Sequence, residues 1–144
     1  MVPGYIDVAA AGVLAAGLLA EACRSGTGDD LRLETVRGLA EDLGRRLAPP
    51  DEAAEGGTPD SPVEAALACA DLATLAVCNV PGLPEGVRPL GAAATHLAAG
   101  ATHALLALQR HEEPQDAHAE NIWRDARSAG WKADLAVRQL GEMA

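Results

Sequence analysis

The stretch from Gly91 to Gln109 lies between Arg88 and Arg110 and contains no Asp, Glu, Lys or Arg. On a helix at about 100° per residue, it divides into an apolar stripe and an opposite side that carries two histidines. The stripe consists of Leu90, Ala94, Leu97, Ala101, Leu105 and Leu108, and the opposite side holds His96, Ala99, His103 and Leu106. Because a helix without a charged face is expected to be surrounded by protein, this pattern predicts a central helix at about 90–110.

Helical periodicity elsewhere predicts four further helices, at about 5–24, 30–48, 61–79 and 115–141, and no strand. The clearest boundary is Ser61-Pro62-Val63-Glu64, which places Ser at the N-cap, Pro at the first helical position and Glu at N3. Prolines and glycines fill the connections. We therefore predict an all-α fold, a single Ala-rich bundle of about five helices that forms one domain over residues 1–144.

The predicted core is built mostly from alanine and leucine, since the chain has no Phe, one Tyr and two Trp. Small side chains let helix axes approach closely, but they remove less apolar area from water than larger ones do. Such a core is thin, and association would stabilise it. We therefore expect a homo-oligomer or a complex with a partner protein.

The formal net charge is −10 and the sequence pI is about 4.7. Binding to nucleic acid requires a basic patch, and the best candidates for one are Arg45-Arg46 and Arg124/Arg127. Both are interleaved with acids, so nucleic-acid binding is not expected. The apolar run Val8 to Ala20 lacks a preceding basic residue and follows Asp7, which argues against a signal peptide. The central helix is rich in Ala and Gly and holds two histidines, so we expect no membrane span and a cytoplasmic location.

Cysteines and histidines do not have the spacing of a metal site. Three cysteines occur without a CxxC pair, and His96, His103, His111 and His118 are seven or eight residues apart. Two ligands on a helix hold one metal at i,i+3 or i,i+4 spacing, as in Glu-x-x-His. We predict neither a metal site nor a cofactor, and no phosphate-binding or dinucleotide motif is present.

Proton-transfer chemistry remains open to His96 and His103, which would share one side of the central helix. Each is a candidate general acid or base near neutral pH, and Asp71 is the preferred orienting acid. The alternative is that both histidines are structural and bond to a helix carbonyl, a threonine or water. Other acids on apolar helices that could orient a histidine are Glu64, Glu21 and Asp7.

A second candidate site lies on the last predicted helix. Trp131 and Leu135 are an i,i+4 pair opposite the core stripe of that helix, among Arg127, Asp134 and Arg138. Trp and Arg are enriched at interface hot spots. This pair either anchors a partner protein or is covered by a terminus or loop of the same chain.

Two functions of different classes follow from these patterns. The first is a non-catalytic accessory protein that acts through self-association or through a partner protein, using its small-residue faces and Trp131/Leu135. The second is a cofactor-independent lyase, cyclase or isomerase of bacterial biosynthetic metabolism. In that case His96 and His103 would transfer protons to and from a small-molecule ligand.

Overall fold

A computed structural model describes residues 4–25, 30–48, 61–109 and 117–143. They form five helices: α1 (Tyr5–Arg24), α2 (Leu31–Leu47), α3 (Pro62–Asn79), α4 (Arg88–Leu108) and α5 (Ala117–Glu142). Two short 3-10 turns, Val80–Gly82 and Glu85–Val87, connect α3 to α4. No strand occurs in these described ranges, and the predicted all-α bundle of five helices is confirmed.

Side-chain caps fix the starts of α2 and α3. The Asp30 carboxylate accepts hydrogen bonds from the backbone amides of Arg32 and Leu33, at 3.0 and 3.3 Å. The Ser61 hydroxyl accepts one from the amide of Glu64 at 3.2 Å, and Pro62 occupies the first helical position. These bonds satisfy amides that have no partner inside the helix, so both helices begin where the sequence predicts.

Helices α1 to α4 form a four-helix bundle in which each helix packs against the next and α4 packs back against α1. The core has two layers. One layer contains the N-terminal halves of α1 and α3 and the C-terminal halves of α2 and α4. The other layer contains the C-terminal halves of α1 and α3 and the N-terminal halves of α2 and α4. Successive helices therefore run in alternating directions. Helix α5 lies outside this bundle, across α3 and α4.

Two helices share the centre of the molecule. Helix α3 contacts all four others, whereas α4 contacts α1, α3 and α5. The expectation that protein surrounds α4 on every side is therefore wrong for one side, because none of the described helices fills the space between α1 and α5. The residues of α4 exposed on that side are Ala93, His96, Gly100, His103, Ala104 and Ala107.

Small residues determine how closely the helices approach. A Cβ atom added at Gly12 would lie 2.7 Å from Sγ of Cys69 and 2.8 Å from Cδ1 of Leu47. A Cβ at Gly44 would lie 3.0 Å from that of Ala16. Helix α1 therefore meets α2 and α3 at distances that larger side chains would not permit.

The two Ala-Thr-His repeats of α4 place each threonine in the core and each histidine at the surface. Thr95 and Thr102 are fully buried. Their hydroxyls donate to the carbonyl oxygens of Gly91 and Ala98, one turn earlier, at 2.9 Å in both cases. Each buried hydroxyl is thereby satisfied within α4.

Two segments of the described chain are long and apolar enough to cross a membrane, namely α1 and Pro62–Gly82. In the bundle, 44% of the apolar window in α1 and 61% of that in Pro62–Gly82 is buried against protein. Both segments thus contribute to the core described above.

The Cys69 thiol makes the stability of the fold depend on pH in the alkaline range. Burial raises the pKa of this thiol from 9.0 to about 12. The unfolded chain therefore loses the proton first, and the stabilisation is complete below about pH 9 and is lost as the pH rises towards 12. We expect the free energy of unfolding to fall more steeply in the wild type than in Cys69→Ala, by up to about 1.4 kcal/mol per pH unit. Urea titrations of both proteins between about pH 8 and about pH 11 measure the two slopes, and equal slopes would contradict this assignment.

Candidate functional site

Helix α5 carries two faces with different chemistry. Its inner face consists of alanines that are at most 5% exposed, namely Ala126, Ala129, Ala133 and Ala136. Their size brings α5 close to α3 and α4. Next to them, Trp123, Arg127 and Trp131 follow at intervals of four residues, so they lie on successive turns along one side of the helix.

This side of α5 and the neighbouring part of α4 enclose an open groove of about 380 Å³. Its lining residues are Leu106 from α4 and Trp123, Ala126, Arg127, Gly130, Trp131 and Asp134 from α5. Gly130 faces Leu106 at this point, and a Cβ added there would make an ordinary van der Waals contact, 3.5 Å from Cδ1 of Leu106. The groove therefore has an apolar floor and a wall that carries both tryptophans of the chain.

Both tryptophans are accessible to solvent. Trp123 is 41% exposed and Trp131 is 64% exposed. The guanidinium carbon of Arg127 lies 4.7 Å from the ring centroid of Trp123, which is the distance of a cation–π interaction. This contact restrains one indole ring and leaves the larger exposed apolar surface on Trp131.

A histidine–carboxylate pair lies beside the groove. Nε2 of His103 on α4 is 2.8 Å from Oδ1 of Asp134 on α5. The His103 side chain is 49% exposed and that of Asp134 is 67% exposed. A ring nitrogen that donates to a carboxylate leaves the other nitrogen available as a base. The pair thus has the chemistry of an acid–base dyad, in a position open to water.

The structure places Asp134, rather than Asp71, next to His103. Asp71 lies on α3, where its Oδ1 accepts a hydrogen bond from Nζ of Lys132 at 3.3 Å. The exposed side of α4 borders α5 and not α3, so an acid on α5 is the one within reach. Asp71, which the sequence suggested as the orienting acid, is therefore not next to His103, and Asp134 is the carboxylate in contact with that ring.

His96 is not brought into this pair. His96 is exposed on α4, about two turns from His103, and among the described residues none forms a hydrogen bond with its ring. His111 and the side chain of His118 lie outside the part of the chain that the structure describes. In the described ranges, no group of three His, Cys, Asp or Glu residues is placed to hold a metal ion.

Of the predicted partner-binding pair, Trp131 lines the groove, whereas Leu135 is half-buried and does not line it. Sequence reasoning missed Trp123 and Leu106. The spacing of Trp123, Arg127 and Trp131 was the available signal for Trp123. Leu106 could not be assigned, because its place in the groove depends on how α4 and α5 pack.

Comparisons of the chain with protein-family models, with curated proteins and with solved structures return no match. Functional inference therefore rests on the residues and geometry of the α4–α5 groove.

Proposed function

We propose that this protein is a non-catalytic association module that receives apolar side chains of a partner protein in the α4–α5 groove. The observation that carries the proposal is the exposure of Trp123 and Trp131 at one groove. Tryptophan side chains contribute large apolar areas to interfaces and are enriched among hot-spot residues, as is arginine. The wall Trp123–Arg127–Trp131 combines these residue types on one rigid helix.

The dimensions of the groove favour an amphipathic helical segment as its occupant. The two tryptophans are separated by two turns, roughly 12 Å, which matches two apolar side chains about two turns apart on a bound helix. A carboxylate of the partner would pair with Arg127. Because this chain carries a net charge of −10, long-range attraction favours a partner whose overall charge is positive. The free thiols of Cys23, Cys69 and Cys78 support a cytoplasmic location for this encounter.

Trp131→Glu is expected to weaken partner binding while leaving the fold intact, since this side chain is 64% exposed. Removing a hot-spot tryptophan costs about 2 kcal/mol or more, a loss of affinity of at least about 30-fold. The measurement is recovery of the partner from a host-cell extract on the immobilised protein, its identification by mass spectrometry, and titration of the isolated partner against each variant.

Leu31→Glu is the matched control, because Leu31 is 76% exposed but lies on α2, away from the groove. The proposal expects this variant to bind like the wild type. It fails if Trp131→Glu and Leu31→Glu retain the partner equally, or if the wild-type protein retains none.

A second candidate function is cofactor-independent proton transfer on a small molecule held in the same groove. The specific support is the 2.8 Å contact between His103 and Asp134, which would make His103 the general acid or base and Asp134 its orienting acid. The reaction type would be that of a lyase, cyclase or isomerase. This function ranks second because the pair is open to water, whereas such catalysis gains from excluding it.

His96→Ala provides a matched control for His103→Ala in testing this second function. Both histidines are exposed on α4, but only His103 has a carboxylate partner. A small-molecule extract of the host is incubated with each protein and analysed by mass spectrometry. The enzyme hypothesis expects conversion of one compound by the wild type and His96→Ala but not by His103→Ala, and it is excluded if the wild type converts nothing.

A further inference from the structure

The outward sides of α1 and α4 form a surface, here called the α1–α4 face, on which the acids of α1 lie only at the two ends, at Asp7 and Glu21. Every residue of this face is exposed, and Leu14 is its most exposed large side chain, at 64%. Its members are Ile6, Ala10, Leu14 and Gly17 from α1 and Ala93, His96, Gly100, Ala104 and Ala107 from α4.

The two helices contribute to one continuous surface because they pack side by side. Leu18 from α1 and Leu97 from α4 are half-buried and pack against the same core layer. Each of these leucines lies between the buried side and the exposed side of its helix. The α1–α4 face lies on the outer side of this boundary and has no bound segment among the described residues.

Two glycines in helix interiors have no explanation within a single copy of the chain. A Cβ atom added at Gly17 or at Gly100 would meet nothing within 4 Å, so packing inside the bundle does not require glycine there. Glycine in a helix interior is destabilising relative to alanine. Gly38 of α2 has the same open space but lies among charged residues, whereas Gly17 and Gly100 lie on the uncharged face. Close approach of a backbone from outside the chain would account for both of them.

We infer that the α1–α4 face is the surface through which two copies of this chain associate. Copies with a net charge of −10 repel each other, and contact across an uncharged face brings the fewest like charges together. The acids on the outward face of α1 lie near its ends, whereas α2, α3 and α5 carry acids inside their length, for example Glu41, Asp71 and Asp125. A membrane is a poorer occupant, because the face has no basic residue and exposed acids flank it at Asp7 and Glu21.

The size of the α1–α4 face limits how tightly two copies can associate. From Ala93 to Ala107 it extends about 21 Å along α4, and two adjacent helices are roughly 20 Å wide, so each copy contributes a footprint of about 400 Å². Surface relief increases the accessible area, but two such footprints total only about 800 Å², below the roughly 1,200 Å² at which standard interfaces begin. In a two-fold arrangement each copy presents the same face, with Leu14 directed towards the small residues of the other copy. We therefore expect a weak contact, with a dissociation constant of about 10 µM or more.

Sedimentation velocity from about 1 µM to about 200 µM tests the inference on the full chain. The wild-type protein is expected to change from a 14.7 kDa monomer to a dimer of twice that mass as its concentration rises. Leu14→Glu and Gly100→Glu place charges in the uncharged contact and are expected to weaken the dimer by at least tenfold. Both positions are exposed, so circular dichroism should show unchanged helix content.

Leu31→Glu and Trp131→Glu serve as controls that are expected to dimerise like the wild type. A wild-type protein that stays monomeric throughout, or a dimer that survives both Leu14→Glu and Gly100→Glu, would overturn the inference. Loss of the dimer in Trp131→Glu alone would assign self-association to the α4–α5 groove instead. Flotation with neutral phosphatidylcholine vesicles by an otherwise monomeric wild type would assign the face to lipid and also overturn the inference.

Discussion

Gly12→Val is expected to lower the free energy of unfolding by about 3 kcal/mol, the upper end of the usual cost of overpacking a core. The first added carbon would lie 2.7 Å from Sγ of Cys69 and 2.8 Å from Cδ1 of Leu47. Both neighbours are fully buried or nearly so, at 0% and 1% exposure, and have little space into which to move. Helix α1 would have to separate from α2 and α3 to admit the side chain. Urea denaturation followed by circular dichroism measures the change.

Gly17→Val is the control for this substitution, since it makes the same chemical change in the same helix. A Cβ at Gly17 meets nothing within 4 Å, so the expected change is within about 0.5 kcal/mol of zero. The comparison is made at about 1 µM protein, below the range in which we expect dimers. Equal losses in the two variants would contradict the close contact of α1 with α2 and α3 at Gly12, because helix propensity alone favours valine over glycine.

Leu105→Ala is expected to cost about 3 kcal/mol, within the 2–5 kcal/mol range of leucine truncations in cores. Leu105 on α4 is completely buried, in the layer that also contains Tyr5, Leu47 and Ala129. Most other side chains in that layer are alanines, which cannot extend to fill the cavity. The variant and the wild type are compared by urea denaturation.

Leu31→Ala provides the control, because Leu31 is 76% exposed and its truncation leaves no cavity. Its expected cost is below about 0.5 kcal/mol. If Leu105→Ala also cost less than about 1 kcal/mol, the layer around Leu105 would have to collapse readily. Such a result would contradict the close packing of α4 in the core.

The sequence predicted the helices well, because their signals are local. Apolar periodicity located all five, and the Ser61 side chain marked the start of α3 where its hydrogen bond is found. The position of α5 outside a four-helix bundle could not be predicted. Its inner face is made of alanines, which fit against almost any other small-residue face, so the pattern does not select α3 and α4 over α1.

Sequence patterns predicted only those features of the candidate site that depend on one helix, such as which side chains of α5 point away from the core. The helical wheel placed Trp131 away from the core stripe of α5, and the side chain is indeed exposed. The groove depends on the register between α4 and α5, which brings Leu106 beneath the tryptophans and Asp134 to His103. Asp71 was a reasonable orienting acid on an apolar helix, but a sequence does not show that Lys132 lies beside it.

Photo-crosslinking in living host cells tests the binding role of the α4–α5 groove most directly. Trp131 is replaced in one strain, and Leu31 in another, by p-benzoylphenylalanine, whose ketone captures whatever chain lies against it. We expect irradiation to join position 131 to an apolar segment of one other protein and to leave position 31 without that product. No product at position 131, a product formed only with a second copy of this chain, or the same products at both positions would contradict the proposed function.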